Sequence, residues 1–169
     1  MKDNITLVIA ALGFGLGVLN FCVDLWRHRV RLKVVPKLYA RVSDGSFTWD
    51  RPVDDFLSEQ AIATPPRICI EVQNIGHKPV SVSGVGFVRS GAKKLCTIAH
   101  PIFSDGVKLP RRLEPQSGFT AYAEFTPNEM FQTYGRIDQA FAVTESDKMF
   151  YGSSPILEHL SVAYEETND

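Results

Sequence analysis

The sequence predicts a mainly β protein: an antiparallel β-sandwich carried on one N-terminal transmembrane α-helix and closed by a short C-terminal helix. Three observations predict it. Residues 5–25 form an apolar run whose only charged residue is Asp24. From Val30 onward, short segments with a period of two are separated by turn residues at regular spacing. Ser154-Pro155 then opens a final stretch with helical periodicity. Residues 1–28 are accordingly read as the anchor and 29–169 as one cytoplasmic sandwich domain.

The apolar run from Ile5 to Leu25 is 21 residues long. At a helical rise of ~1.5 Å it spans about 31 Å, matching a hydrocarbon core of roughly 30 Å. A cleaved signal peptide is the main rival. It is disfavoured because Asn20-Phe21-Cys22-Val23 offers no small-x-small site, and because Phe21 stands where a lipoprotein box needs a small residue. After the run come Arg27, Arg29, Arg31 and Lys33 without an intervening acid, whereas Lys2 before it is offset by Asp3. The positive-inside rule then places the C-terminal side in the cytoplasm, with Trp26 at the interface. The basic flank could also hold anionic lipid headgroups.

Thr6, Ala10, Gly13, Gly17, Asn20 and Asp24 follow steps of four and three, so they share one helix face. Small residues allow close approach between membrane helices, and Asn or Asp can hydrogen-bond across the contact. This face is the expected seam of a homo-oligomer.

In the domain, Val30, Leu32 and Val34 alternate with Arg31 and Lys33, and the pattern resumes after Pro36 through Val42. Pro36 suits an edge strand or a bulge. Ser43-Asp44-Gly45-Ser46 reads as a turn, and residues 43–66 show no clear alternation, with Asp54 to Ala61 as a short helix. Arg67 to Gln73 and Val80 to Val88 are the clearest strands, joined by the turn Asn74 to Pro79. Further strands are predicted at Leu95 to Ala99, Phe119 to Phe125, Ile137 to Val143 and Met149 to Tyr151. Ile156, Leu157, Leu160 and Tyr164 of the final helix would face the sandwich.

The run ICIEVQNIGHKPVSVSGVGF, Ile68 to Phe87, resembles the paired strands of immunoglobulin-like domains in small bacterial single-pass membrane proteins. LPRRLEPQSGFTAYAEF and AFAVTESDKMFYG resemble the strands that follow in those domains. The resemblance implies an immunoglobulin-like fold and a membrane topology, and brings no functional residues with it.

Charge is unevenly placed. Residues 1–42 hold seven basic groups against two acidic ones (+5), and the remainder holds eleven against seventeen (−6). A domain of that balance argues against nucleic acid as a main partner. The cysteines, Cys22, Cys69 and Cys96, are too few for a disulfide framework and suit a reducing compartment. His28, His77, His100 and His159 are isolated, and no spacing fits a metal site, a phosphate loop or a nucleophile elbow. No cofactor and no catalytic residue is therefore expected. Arg89, Lys93, Lys94, Lys108, Arg111 and Arg112 could surround a negatively charged ligand if their loops converge. The function expected is a membrane-anchored, oligomeric, non-enzymatic protein whose sandwich binds a partner or ligand. A membrane-acting effector of a bacterial antiviral system is one version. The alternatives are a passive scaffold that recruits a partner protein, and an enzyme without a recognisable motif.

Overall fold

The computed structural model describes residues 2–42, 45–52, 65–91 and 95–168, with side chains from Leu12 onward except at 42, 165, 167 and 168. Among these residues the chain forms three helices, α1 (Lys2–Arg27), α2 (Pro127–Tyr134) and α3 (Pro155–Asn168). Its strands are β1 (Leu32–Val42), β2 (Gly45–Trp49), β3 (Arg67–Asn74), β4 (Val80–Arg89), β5 (Leu95–Thr97), β6 (Ile102–Phe103), β7 (Arg111–Leu113), β8 (Gly118–Tyr122), β9 (Ile137–Thr144) and β10 (Met149–Gly152).

The strands build two antiparallel sheets. Sheet one has the order β2-β1-β3-β8-β6, and sheet two the order β10-β9-β4-β5. β7 pairs with the Val80–Val82 end of β4 while β5 pairs with Gly86–Val88, so the two short strands share one edge. Alternation sets which side chains face inward. Leu32, Val34, Leu38 and Ala40 of β1 are buried, as are Ile68, Ile70 and Val72 of β3 and Phe119 and Ala121 of β8. All of these but Ala40 meet Val82, Val85 and Phe87 of β4 and Ala140 and Ala142 of β9 in one core. Burial of this apolar surface is the main source of stability.

Pro36 lies inside β1, opposite Ile70. It is tolerated because β2 reaches only Leu38–Val42, so β1 is an edge strand at Pro36 and an unpaired side can lack its N–H. The strict alternation expected through β4 breaks at a bulge between Val82 and Gly84. The extra residue shifts parity by one, which is why Val82 and Val85 both face the core. Gly86 follows at a point of close approach: a Cβ there would strike the Cys96 carbonyl oxygen and lie 2.8 Å from the Phe141 ring. Gly152 serves the same purpose between sheets, since a Cβ would collide with the Val34 carbonyl.

Four sequence expectations are corrected. Gly45 and Ser46, read as part of a turn, begin β2, which pairs with β1. The two-residue β6 and the three-residue β7, which pair with β8 and β4, are not among the strands predicted from periodicity. Phe119 to Phe125 stops as a strand at Tyr122. α2 follows, set by a capping box in which the Thr126 side chain accepts from the Glu129 amide and the Glu129 carboxylate accepts from the Thr126 amide. The predicted helix from Asp54 to Ala61 lies outside the described residues.

α3 matches its pattern. Ile156 and Leu157 are buried, Leu160 and Tyr164 pack on the core, and the Tyr164 ring stacks on Phe131 of α2 at 5.2 Å. Ser161 Oγ donates to the Ile137 carbonyl at 2.6 Å, fastening α3 to β9.

Among the described residues no helix is long and apolar enough to cross a membrane. In α1 the described side chains begin at Leu12, so the first seven residues of the predicted span fall outside them.

Candidate ligand cleft

The outer face of sheet one is built by the residues that β1, β3 and β8 turn away from the core. β1 offers Lys37, Tyr39 and Arg41, β3 offers Arg67, Cys69 and Glu71, and β8 offers Thr120 and Tyr122. Register makes neighbours of Tyr39 and Arg67, of Lys37, Cys69 and Tyr122, and of Arg41 and Ser46 on β2. The Tyr39 and Tyr122 rings meet edge-to-face at 4.8 Å across β3, and Cys69 on that strand is 0% exposed. Burial pushes the Cys69 thiol up to about 12, so it stays protonated and is a poor nucleophile. Desolvation also raises the Tyr122 phenol above its ordinary value.

Toward the β6 edge this face opens into a cleft of about 510 Å³. Tyr39, Arg41, Ser46, Arg67, Ser104 and Tyr122 supply its polar lining, with Ile102 and Ala123 completing it. The cleft lies near the end of β1 farthest from α1. Among the described residues no carboxylate lines it. On the same face Lys37 Nζ is paired with Glu71 Oε2 at 2.7 Å, and that bond holds the ammonium above its ordinary range. Arg41 and Arg67 have no ion-pair partner among the described residues. The acid that senses Arg67 is Glu129, whose carboxylate is already engaged by the Thr126 amide at 2.7 Å and hydroxyl at 3.0 Å.

The predicted basic cluster is placed differently. Arg89 ends β4 opposite Ile137, whereas Arg111 and Arg112 pair with Val82 and Ser81 near the other end. Seven residues of strand separate these points, about 23 Å, so Arg89 is not brought to the other two. Arg111 is held by Asp105 at 2.7 Å and lies over the Phe119 ring, and Arg112 is paired with Glu114 at 2.9 Å. Lys108 lines a second cleft of about 520 Å³, together with His100 and Glu124. Lys93 and Lys94 lie outside the described residues.

At the helix end, the Arg31 guanidinium sits over the Trp26 ring at 4.1 Å, while Arg27, Arg29 and Lys33 are exposed. Asp24 has a local partner, His28 Nδ1 at 3.2 Å, and the same nitrogen lies 2.7 Å from the Asp24 carbonyl. Gly13, Gly17 and Asn20 are exposed, and a Cβ at either glycine would meet nothing within 4 Å. Thr6 and Ala10 belong to α1, but their side chains are outside the described ones.

No family model, curated protein or solved structure matches this chain. The site is therefore read from its own geometry. Among the described residues no group of His, Cys, Asp or Glu could hold a metal ion. Sequence reasoning missed the cleft. Tyr39 and Arg41 were legible as outward residues of one strand, but only the pairing of β1 with β3 and of β3 with β8 brings them to Arg67 and Tyr122.

Proposed function

We propose that this protein is a membrane-tethered, self-associating binding module: α1 sits in a bilayer, and a cytoplasmic sandwich of immunoglobulin-like strand order presents the cleft of sheet one to a ligand. The observation that carries the reading is the exposure of nine large apolar side chains along α1, from Leu12 to Trp26, with Phe14 as open as 76%. The domain leaves this surface uncovered, and apolar surface of that extent marks a membrane or partner contact. The Trp26–Arg31 pair and the exposed Arg27, Arg29 and Lys33 form an interfacial, basic boundary of the kind that fixes topology. The open glycine face at Gly13 and Gly17 supports self-association. The strand orders β1-β3-β8-β6 and β10-β9-β4-β5 correspond to the A-B-E-D and G-F-C-C′ orders of immunoglobulin-like sandwiches, which supports that assignment.

Membrane fractionation tests the tether. The full chain is expected to stay with the membrane through alkaline carbonate extraction, and a variant beginning at Arg29 is expected in the supernatant. Release of the full chain by carbonate would refute an integral anchor.

A further inference from the structure

We infer that the cleft on the outer face of sheet one binds an organic phosphate of nucleotide size, its phosphate held between Arg41 and Arg67 and its ring against Tyr39 and Tyr122. The inference rests on reading the domain as a binding module, but not on α1 lying in a bilayer.

Charge is the first argument. Tyr39 is the direct cross-strand neighbour of Arg67, which makes Arg41 its diagonal neighbour. Diagonal positions on a sheet lie about 7–8 Å apart, within reach of two long side chains converging on one anion. Both side chains lack an ion-pair partner among the described residues, although the adjacent Lys37 and Glu71 neutralise each other. Guanidinium presents planar paired donors that match phosphate oxygens. One such group satisfies a carboxylate, whereas two, with no acid among the described lining residues, suit the higher charge of a phosphate.

The neutral groups supply the second argument. Ser46 lies across the register from Arg41, and Ser104 stands in the same lining, so hydroxyl donors flank the cationic pair. The half-buried phenol rings of Tyr39 and Tyr122 form a wall with aromatic surface and polar tips. A base stacked on such a wall gains about tenfold or more in affinity and needs no sequence-specific hydrogen bonds.

Size is the third. A cleft of about 510 Å³ lies within the ~300–1,000 Å³ range of small-molecule sites. It is far larger than a bare phosphate requires, and too confined for a folded acidic partner.

Calorimetric titration of the full chain in detergent micelles tests this, with AMP, GMP, UMP, CMP, inorganic pyrophosphate, adenosine and polyglutamate as probes. At least one nucleotide is expected to bind ten or more times more tightly than pyrophosphate and adenosine. Its affinity should fall as NaCl is raised. Arg41→Gln and Arg67→Gln should each weaken it at least tenfold, while Arg112→Gln, away from the cleft, should leave it unchanged. The substituted residues are exposed, and an unchanged melting temperature would confirm the fold. Absence of nucleotide binding, binding indifferent to salt, equal affinity for pyrophosphate, or tighter binding of polyglutamate would each overturn the inference. Because the titration is done in detergent, such a result would leave the membrane tether standing. Failure of the carbonate experiment would likewise leave the cleft untouched.

Discussion

Asn74 is a buried polar side chain whose every hydrogen-bonding group is used. Its Nδ2 donates to the Lys78 carbonyl at 2.8 Å and the Leu113 carbonyl at 3.2 Å, and its Oδ1 accepts from the Gly76 amide at 3.0 Å. One residue thus ties the β3–β4 turn to β7. Asn74→Ala strands two carbonyls and an amide, and is expected to lower stability by about 3 kcal/mol in urea unfolding. Cys69 behaves oppositely, as a hydrophobe. Burial raises its pKa from 9.0 unfolded to about 12 folded. The folded state therefore keeps a proton that the unfolded chain loses above pH 9. That contribution is complete below pH 9 and is lost as pH rises toward 12, at up to about 1.4 kcal/mol per pH unit. Tyr122 adds a loss of the same sign. Cys69→Val should flatten the fall between pH 9 and 11, and an equally steep profile would show that the thiol is not its source. In native protein a maleimide should leave Cys69, which is fully buried, unmodified until the domain is unfolded.

Among the elements, α2 depends on its first turn. The Thr126 side chain accepts from the Glu129 amide, and Thr126→Ala is expected to cost about 1 kcal/mol by chemical denaturation. The bonds from Thr126 hold the Glu129 carboxyl below its ordinary value of 4.5. This contribution is present above that value and is lost as pH falls through the lower folded one; Thr126→Ala removes the hydroxyl bond but keeps the larger one from the amide, so it should shallow the acid limb of the stability profile only in part. The signal for α2 stood in the sequence: Thr126-Pro127-x-Glu129, with Gly135 at the end, is a capping box, a helix-starting proline and a C-terminal glycine. It was hidden by the short β-rich runs on either side. The long strands and α3 were legible because alternation and helical period survive in sequence. Two-residue β6 and three-residue β7 carry too few residues to show a period, and the bulge at Val82/Gly84 is invisible until β9 supplies its register. The cleft was illegible for a related reason: Arg41 and Arg67 are 26 positions apart, and only pairing makes them neighbours.

For the whole molecule, the core draws on both sheets, so the domain should fold without α1. A chain beginning at Arg29 is expected to give a β-type circular dichroism spectrum and one cooperative melt, and a mainly helical spectrum would contradict the fold. Self-association is expected to reside in the helix. Gly13→Leu with Gly17→Leu should reduce crosslinked oligomers in membranes, whereas Leu12→Ile with Leu16→Ile should not. Only four residues separate Arg27 at the end of α1 from Leu32 at the start of β1. The same strand continues to Tyr39 and Arg41 in the wall of the cleft, about 30 Å farther on. Helix and cleft wall are thus successive parts of one continuous stretch of chain, like a shaft and crank. A turn of the helix about its own axis would be carried into the strand that holds Arg41, and a ligand gripping Arg41 would load the helix in return. Lengthening the link at Val30 with a flexible Gly-Ser insert would leave both ends intact and uncouple them.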